Sequence, residues 1–403
     1  MSDVAEIASP LPDAQAQTQS CFSELAELVE GEGYSGYEFD DFLGSPILRA
    51  LSFNNLLLQR IFIQIGERSP INLRPLLGVR KRQSTKGNGF FARGYLHAYL
   101  ASRDPAFLSK AQDRLAWLCA NYSRGYAGYA WGNAFDFASR GGFIPKGTPT
   151  IVWTSHISNA FFLGYRAVGD PRYADVVNSG AEFILRDLNR HEDSSGVCLA
   201  YVPGGLSLVH NANLLGSVAL LRSWSLDEDP RKLELARRAL NWSMSYMESD
   251  GSWRYGVGKE YRWVDNHHTA YVIDCLLEAR SLGGDELVPH SVIEKTIDYW
   301  TRAFFLPDGT PKYYNDRAYP LDIQAASQAI ETFARLSEVD STALSRAFTV
   351  LEWTNRTLRR RDGFYMYRRG RIFPNRLVSI HWGQSTMFAA LGALLYYASL
   401  EEK

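Results

Sequence analysis

The run VDNHHTAYVIDCLLEA, residues 264–279, sets Asp265, Asn266, His267 and His268 directly before a segment with the composition of a buried helix. A carboxylate or an amide at that place is ordinary, because its oxygen accepts a hydrogen bond from the free N–H groups of a first helical turn. Histidine is not a preferred cap. Two of them at the mouth of an apolar helix call for another reason, and the first test is whether the chain repeats the arrangement.

It repeats six times. GFFARGYLHAYL (89–100), NAFFLGYRAV (159–168), LLGSVALL (214–221), TAYVIDCLLEA (269–279), AASQAIETFARL (325–336) and MFAALGALLYYA (387–398) all carry little polar surface. Amphipathic segments alternate with them. In 230–248, Leu233, Ala236, Leu240, Met244 and Met247 form one stripe, while Arg231, Glu234, Arg237 and Arg238 lie off it. The amphipathic segments open at Asp104-Pro105, Asp170-Pro171 and Asp229-Pro230, with Asp285 and Asp340 at matching points, separated by 66, 59, 56 and 55 residues. An earlier, uncapped counterpart is expected to begin at Ser45-Pro46. Nearly apolar helices inside and amphipathic ones outside, joined by short returns, describe an all-α fold, an (α/α)6 toroid. An additional N-terminal helix is expected near 17–30.

In such a ring all six inner helices point one way, so their N-termini and the long loops meet at one end as a funnel. The successive inner starts offer Lys86-Gly87-Asn88, Ser155-His156, His210-Asn211, Asp265-Asn266-His267-His268, Asp322-Ile323-Gln324 and His381-Trp382-Gly383-Gln384. Five of the eight histidines fall in this set. Loops bring aromatic residues to the same end, among them Trp131, Trp153, Tyr201, Tyr255, Trp263 and Tyr313. Flat apolar rings beside Asp, Asn, Gln and His suit a sugar, whose C–H face packs on the ring while its hydroxyls find polar partners. Asp250, Asp308 and Asp362, each before a glycine, read as turn formers. Two basic runs, VRKRQSTK (79–86) and RRGRIFPNR (368–376), precede the first and sixth inner helices and are expected to adjoin, where they could hold an anion.

The totals exclude other classes. A chain of 403 residues, 46% hydrophobic, fills a large core, and a net charge of −1 offers no general field for nucleic acid. Cys21, Cys119, Cys198 and Cys275 are far apart without CxxC spacing, as expected of reduced thiols in the cytoplasm. The first sixteen residues have no basic residue and no apolar stretch of the signal-peptide kind, so 1–16 reads as a flexible tail and 17–403 as one domain. No apolar run reaches the roughly 18 residues of a membrane span. His267 and His268 project about 100° apart on a helix. With no HExxH motif, neither a metal nor a cofactor is expected.

Two chemistries remain. Glycoside hydrolysis needs two carboxylates flanking the bond, from Asp136, Asp265, Asp316, Asp322 or Asp40-Asp41. Epimerisation or elimination needs a base such as histidine or tyrosine beside an acidic carbon. The catalytic candidates are therefore Asp265, His267, His268, Asp322, Asp136 and His381. The substrate-binding candidates are Lys86, Trp153, His156, His210, Asn211, Trp263, Gln324, Trp382 and Gln384.

GYSGYEFDDFLGSPIL (33–48), KGNGFFARGYL (86–96) and DNHHTAYVIDCL (265–276) resemble α/α-toroid proteins of bacterial exopolysaccharide biosynthesis, a group allied to the six-hairpin glycosidases. The resemblance covers about residues 33–403. It implies a carbohydrate-active protein working on a surface polysaccharide or glycan intermediate, with other polysaccharide-biosynthesis proteins as partners. The alternative is a sugar-binding subunit without catalysis. An isoprenoid cyclase or prenyltransferase fits less well, because the DxDD-like Glu38-Phe39-Asp40-Asp41 lies before the first outer helix and no zinc set is apparent.

Overall fold

Three Asp-Pro pairs start three helices. The carboxylates of Asp104, Asp170 and Asp229 accept hydrogen bonds from the backbone N–H groups of Ala106, Arg172 and Arg231, and each proline takes the first helical position, where no N–H is needed. The structure, a computed structural model, describes residues 11–139 and 142–401. In chain order its helices are α1 (Leu11–Gly31), α2 (Pro46–Leu51), α3 (Leu56–Arg68), α4 (Thr85–Ser102), α5 (Pro105–Ala120), α6 (Ile151–Val168) and α7 (Pro171–Arg186). There follow α8 (His210–Asp227), α9 (Pro230–Met244), α10 (Asn266–Gly283), α11 (His290–Phe304), α12 (Ile323–Leu336), α13 (Ala343–Thr357) and α14 (Thr386–Glu401).

The even-numbered helices from α4 to α14 form the inner ring. Each packs on the next, and α14 packs back on α4. Glycine makes that seam: a Cβ on Gly392 would lie 2.4 Å from the Gly94 carbonyl oxygen, and one on Gly94 would lie 2.5 Å from the Phe388 ring. The odd-numbered helices from α5 to α13 stand outside. The (α/α)6 toroid read from the sequence is the observed architecture, with one change of membership.

The N-terminal helix starts at Leu11 rather than near 17, and residues 1–10 of the expected tail lie outside the described residues. Helix α1 stands behind α14 as the sixth outer helix. Its Phe22 stacks on Phe388 at 4.3 Å and meets Tyr95 edge-on, while Cys21 accepts from Asn355 and Arg359 beside α13. The segment from Ser45 does not fill that place. Ser45 caps Leu48 N–H, but Phe53 and Asn54 adopt positive φ and end α2 after six residues. Helices α2 and α3 then form a separate element beside the mouth of the ring. Asp285 also departs from its expected role: it pairs with Arg280, and α11 begins after Pro289.

Short antiparallel strands staple the long loops at the funnel end. Ser35–Gly36 pairs with Arg82–Gln83, Phe137–Ser139 with Gly142–Ile144, and Leu321–Asp322 with Arg368–Arg369. A wide π-helical turn, Ile380–Ser385, carries His381 and Trp382 into α14. Such turns shift the aim of their side chains relative to the helix that follows.

Candidate active site

The inner-helix starts and their loops enclose a funnel of about 780 Å³. Eight of the sequence candidates line it: Lys86, Trp153, Asn211, Trp263, His267, His268, His381 and Trp382. Each stands at the first turn of an inner helix or in the loop before one, which is the convergence expected of a toroid.

Asp265 lies buried behind this surface as the N-cap of α10. It accepts from the backbone N–H of His268 at 3.0 Å, from Trp263 Nε1 at 2.9 Å and from His268 Nδ1 at 2.7 Å. His267 Nδ1 is 3.1 Å from its other oxygen. Burial alone would raise this carboxyl, but the two histidines and these hydrogen bonds hold it well below the usual range. The short bond also directs the His268 Nδ1 proton at Asp265. His267 is buried, and its Nε2 has no hydrogen-bond partner. Its ring centroid stands 5.3 Å from Trp382 and 5.5 Å from Tyr313.

His381 packs between Phe90, Trp153 and Trp382. Glu38 anchors its backbone, accepting from His381 N–H at 3.2 Å and from Ser379 Oγ at 2.8 Å. Burial, then the neighbouring Asp40 charge, raises Glu38 well above the usual carboxylate range. His381 Nε2 and His156 Nε2 are buried without partners. Burial first, then nearby cations, pushes His156 and His381 well below the ordinary imidazole value; burial and His268 do the same to His267. All three are neutral at pH 7. Lys86 points its ammonium over Trp153 at 4.9 Å and Phe90 at 5.6 Å, and burial brings it down to about 7.

The other candidates are placed differently. Asp322 is buried and fully used, accepting from Gln324 N–H, Arg368 Nε and Trp382 Nε1 at 2.8, 2.7 and 3.1 Å. It positions Trp382 rather than facing the cavity. Asp136 accepts from Lys146 N–H and pairs with Arg49. His210 packs on Trp242 and Tyr246 at 5.1 and 5.2 Å, away from the floor. Gln324 donates to Tyr271 Oη, and Gln384 binds the backbone of Tyr365 and Ser379. His156 sits beneath the lining, 4.9 Å from Tyr271.

The lining also includes Tyr271, Glu67 and Asp40, the last read from the sequence only as half of a possible Asp40-Asp41 carboxylate pair. Tyr271 lies four residues after His267, one turn down the same helical face, a spacing visible in the sequence. Asp40 and Glu67 face the funnel from the rim. Burial and then Glu67 raise Asp40 to about 8. Glu67 belongs to α3, and no sequence signal connects that helix to the mouth.

Asp265, His267 and His268 form a group with donor atoms within 4.8 Å of one another, and their ring centroids are only 3.9 Å apart. The adjacent histidines therefore converge on one carboxylate instead of diverging, which corrects the expected 100° separation. The set could hold a metal ion, although Trp263 and His268 already occupy the carboxylate oxygens. The two basic runs do adjoin: Lys81 and Arg376 line one small cavity on the outer rim. Of those residues only Lys86 reaches the funnel.

No family model matches the chain, and no curated sequence does. Solved structures do. An unsaturated glucuronyl hydrolase specific for heparin superposes with a TM-score of 0.62 at 13% identity, covering 97% of this chain and 98% of its own. The cellobiose 2-epimerase of Bacillus thermoamylovorans gives 0.60 at 12%, over 79% and 90%. A GH76 α-mannanase of Bacteroides thetaiotaomicron gives 0.60 at 14%, over 79% and 87%. These neighbours are six-hairpin glycosidase-like enzymes. At such identities the likeness establishes the toroidal fold.

Proposed function

We propose that the chain is a carbohydrate-active enzyme of the epimerase kind, moving a proton at a carbon next to a sugar carbonyl. The observation that carries this reading is the contrast at the floor. His267 and His381 are buried and neutral with Nε2 unpartnered, whereas Asp265 and Asp322 have their oxygens tied up by protein donors. One imidazole takes the C–H proton, and the electron pair moves onto the carbonyl oxygen as an enediolate. The protonated Lys86 ammonium stabilises that oxyanion. The imidazole on the other side takes a solvent proton at one nitrogen as it delivers a proton to carbon from the other. The first imidazolium releases its proton to solvent, so the protons balance and neither oxidant nor cofactor is consumed. Trp153 and Trp382 pack on the sugar face, and Asp265, through His268, keeps the α10 start in register.

The aromatic lining supports a sugar ligand, and the likeness to a cellobiose 2-epimerase is in keeping with it. The exopolysaccharide resemblance supports a substrate from bacterial surface-glycan assembly. Lys86 and Arg60 on the funnel wall support an acidic sugar. The test is incubation of reducing mono- and disaccharides, neutral and uronic, in deuterated water. Deuterium entering the carbon beside the carbonyl, lost in His267→Ala and His381→Ala, is expected. Sugar binding with no exchange in any of them leaves a non-catalytic binding protein and sinks the reading.

One observation favours a second chemistry. Asp40, raised to about 8, is a proton donor at neutral pH beside Glu67, the arrangement that acid-assisted glycoside cleavage uses. Release of reducing ends from an oligosaccharide, abolished by Asp40→Asn and indifferent to His381→Ala, would establish hydrolysis instead.

A further inference from the structure

The element that did not join the ring has an unusual surface. Residues 42–82 hold seven Lys and Arg against one acid, Glu67, in a chain whose net charge is −1. Arg49, Arg74 and Lys81 pair with Asp136, Asp41 and Glu32, and the other four carry charge that no ion pair among the described residues offsets. The same segment turns large apolar side chains to water. Ile47, Leu51, Phe53, Leu57, Ile61 and Ile65 are all exposed, Phe53 at 80% and Leu57 at 63%. On α3, Leu57, Ile61 and Ile65 recur every four residues and form one stripe; Gln59, Ile63 and Gly66 occupy the face turned to the protein. A water-facing helix ordinarily carries polar residues on that stripe.

Packing holds the stripe outward. A Cβ on Gly66 would lie 2.3 Å from the Phe42 ring, so α3 sits in close contact there. Buried Arg74 pins the following chain to Asp41 at 2.5 Å and to the Phe39 carbonyl at 2.8 Å. The apolar surface continues onto Ile372 and Phe373, in a hairpin whose Asn375 donates to the Glu67 carbonyl at 2.8 Å. Arg68, Arg369 and Arg371 are exposed along the join. The result is an apolar centre with a basic rim. Its inner edge, at Arg60, Ile63, Gln64 and Glu67, is also the funnel wall.

We propose that α2, α3 and the 368–376 hairpin form a docking surface for an anionic lipid bilayer, seating the funnel mouth at the headgroup layer. The charge selects this occupant. A second copy of the chain would set one basic rim against another, whereas a bilayer presents anionic headgroups immediately above an apolar interior. The mode is interfacial: α3, at 13 residues, is about 20 Å long, and no described helix is long and apolar enough to cross a membrane. Lying in the surface plane, α3 would bring lipid-held glycans to the rim. The proposal stands independently of the reaction at the floor.

The experiment is co-sedimentation of the full chain with vesicles of phosphatidylcholine alone or mixed with phosphatidylglycerol, at low and high salt. Binding is expected to the mixed vesicles, weakened by salt. Phe53→Ser with Leu57→Ser should lower partitioning at least about tenfold, as loss of buried apolar area requires. Arg68→Gln and Arg371→Gln should each lower it roughly fivefold. All four side chains are exposed, so unchanged unfolding midpoints are the control. No partitioning of the wild type into anionic vesicles, or equal partitioning of the Phe53/Leu57 variant, overturns the proposal. So does a dimer that the same variant abolishes without any vesicle binding.

Discussion

Two buried polar layers cross the middle of the ring, and they differ in pairing. At the floor, His156 Nε2, His267 Nε2, His381 Nε2, Ser155 Oγ and Asn211 Oδ1 are buried without partners. Deeper along the same inner helices, charges meet one another. Arg222 binds Glu278 with two hydrogen bonds of 2.5 and 2.8 Å, Arg335 approaches the same carboxylate at 3.5 Å, and Arg93 pairs with Glu331. Gln328 and Thr332 donate to one oxygen of Asp274, and its Oδ1 and His97 Nδ1 are the exceptions in this otherwise paired layer. Arg93 and Arg222 are about as buried as the floor histidines, so burial does not separate structural from functional polar groups. Partnership does: a buried polar atom without a partner is a standing penalty that a bound ligand relieves.

The largest effect should come from the floor. His267→Ala or His381→Ala is expected to reduce deuterium exchange by about 10²–10⁴-fold, the usual share of a general acid or base. Their unfolding midpoints should stay close to wild type. Early unfolding with normal exchange in the folded fraction would erase the distinction between the layers.

The deeper layer should give the opposite result. Glu278→Ala leaves Arg222 buried without its partner and is expected to lower stability by roughly 3–5 kcal/mol while sugar affinity is retained. The same carboxylate makes stability depend on acid. Burial opposes ionisation of Glu278, but Arg222 and Arg335 outweigh it and bring its value to about 2. Its stabilising contribution is therefore present above the unfolded value and fades as pH falls toward about 2. In Glu278→Gln that part of the acid dependence should disappear from chemical unfolding curves.

A smaller and sharper test uses Lys86. Since its ammonium loses the proton near about 7, exchange that needs the charged form should decline as pH rises through that value. Lys86→Arg keeps the charge and should move the decline to higher pH, even if the rate falls. An unchanged limb would detach Lys86 from the reaction. The smallest effect belongs to His210, which packs on Trp242 instead of facing the funnel. His210→Leu should leave exchange intact and change stability by less than about 1.5 kcal/mol in either direction. Loss of exchange there would widen the floor beyond its present boundary.

Much of the ring was legible because its signals are local. Asp-Pro starts, apolar runs and the spacing between them depend on residues within one or two turns, and they located five of the outer helices and all six inner ones. The same locality explains why α1 was misplaced. Its role is set by Phe22 meeting Phe388, and nothing in the first thirty residues announces that neighbour. Ser45-Pro46 looked like a helix start and is one; the positive φ at Phe53 and Asn54 that cuts it short is a tertiary outcome.

At the site, the sequence by itself determined which residue types gather at the funnel, since inner-helix starts converge in any closed ring of this kind. Tertiary structure decided what each of them can do. Asp265 and Asp322 look like acids in the sequence, yet Trp263, His268, Arg368 and Trp382 consume their oxygens. Glu38, noticed only as part of an acidic run, holds Ser379 and His381 across 341 and 343 positions of chain. Periodicity reports which face of a helix is buried. Whether a buried nitrogen is satisfied, and so whether it is free for a ligand, depends on partners that the chain supplies from far away.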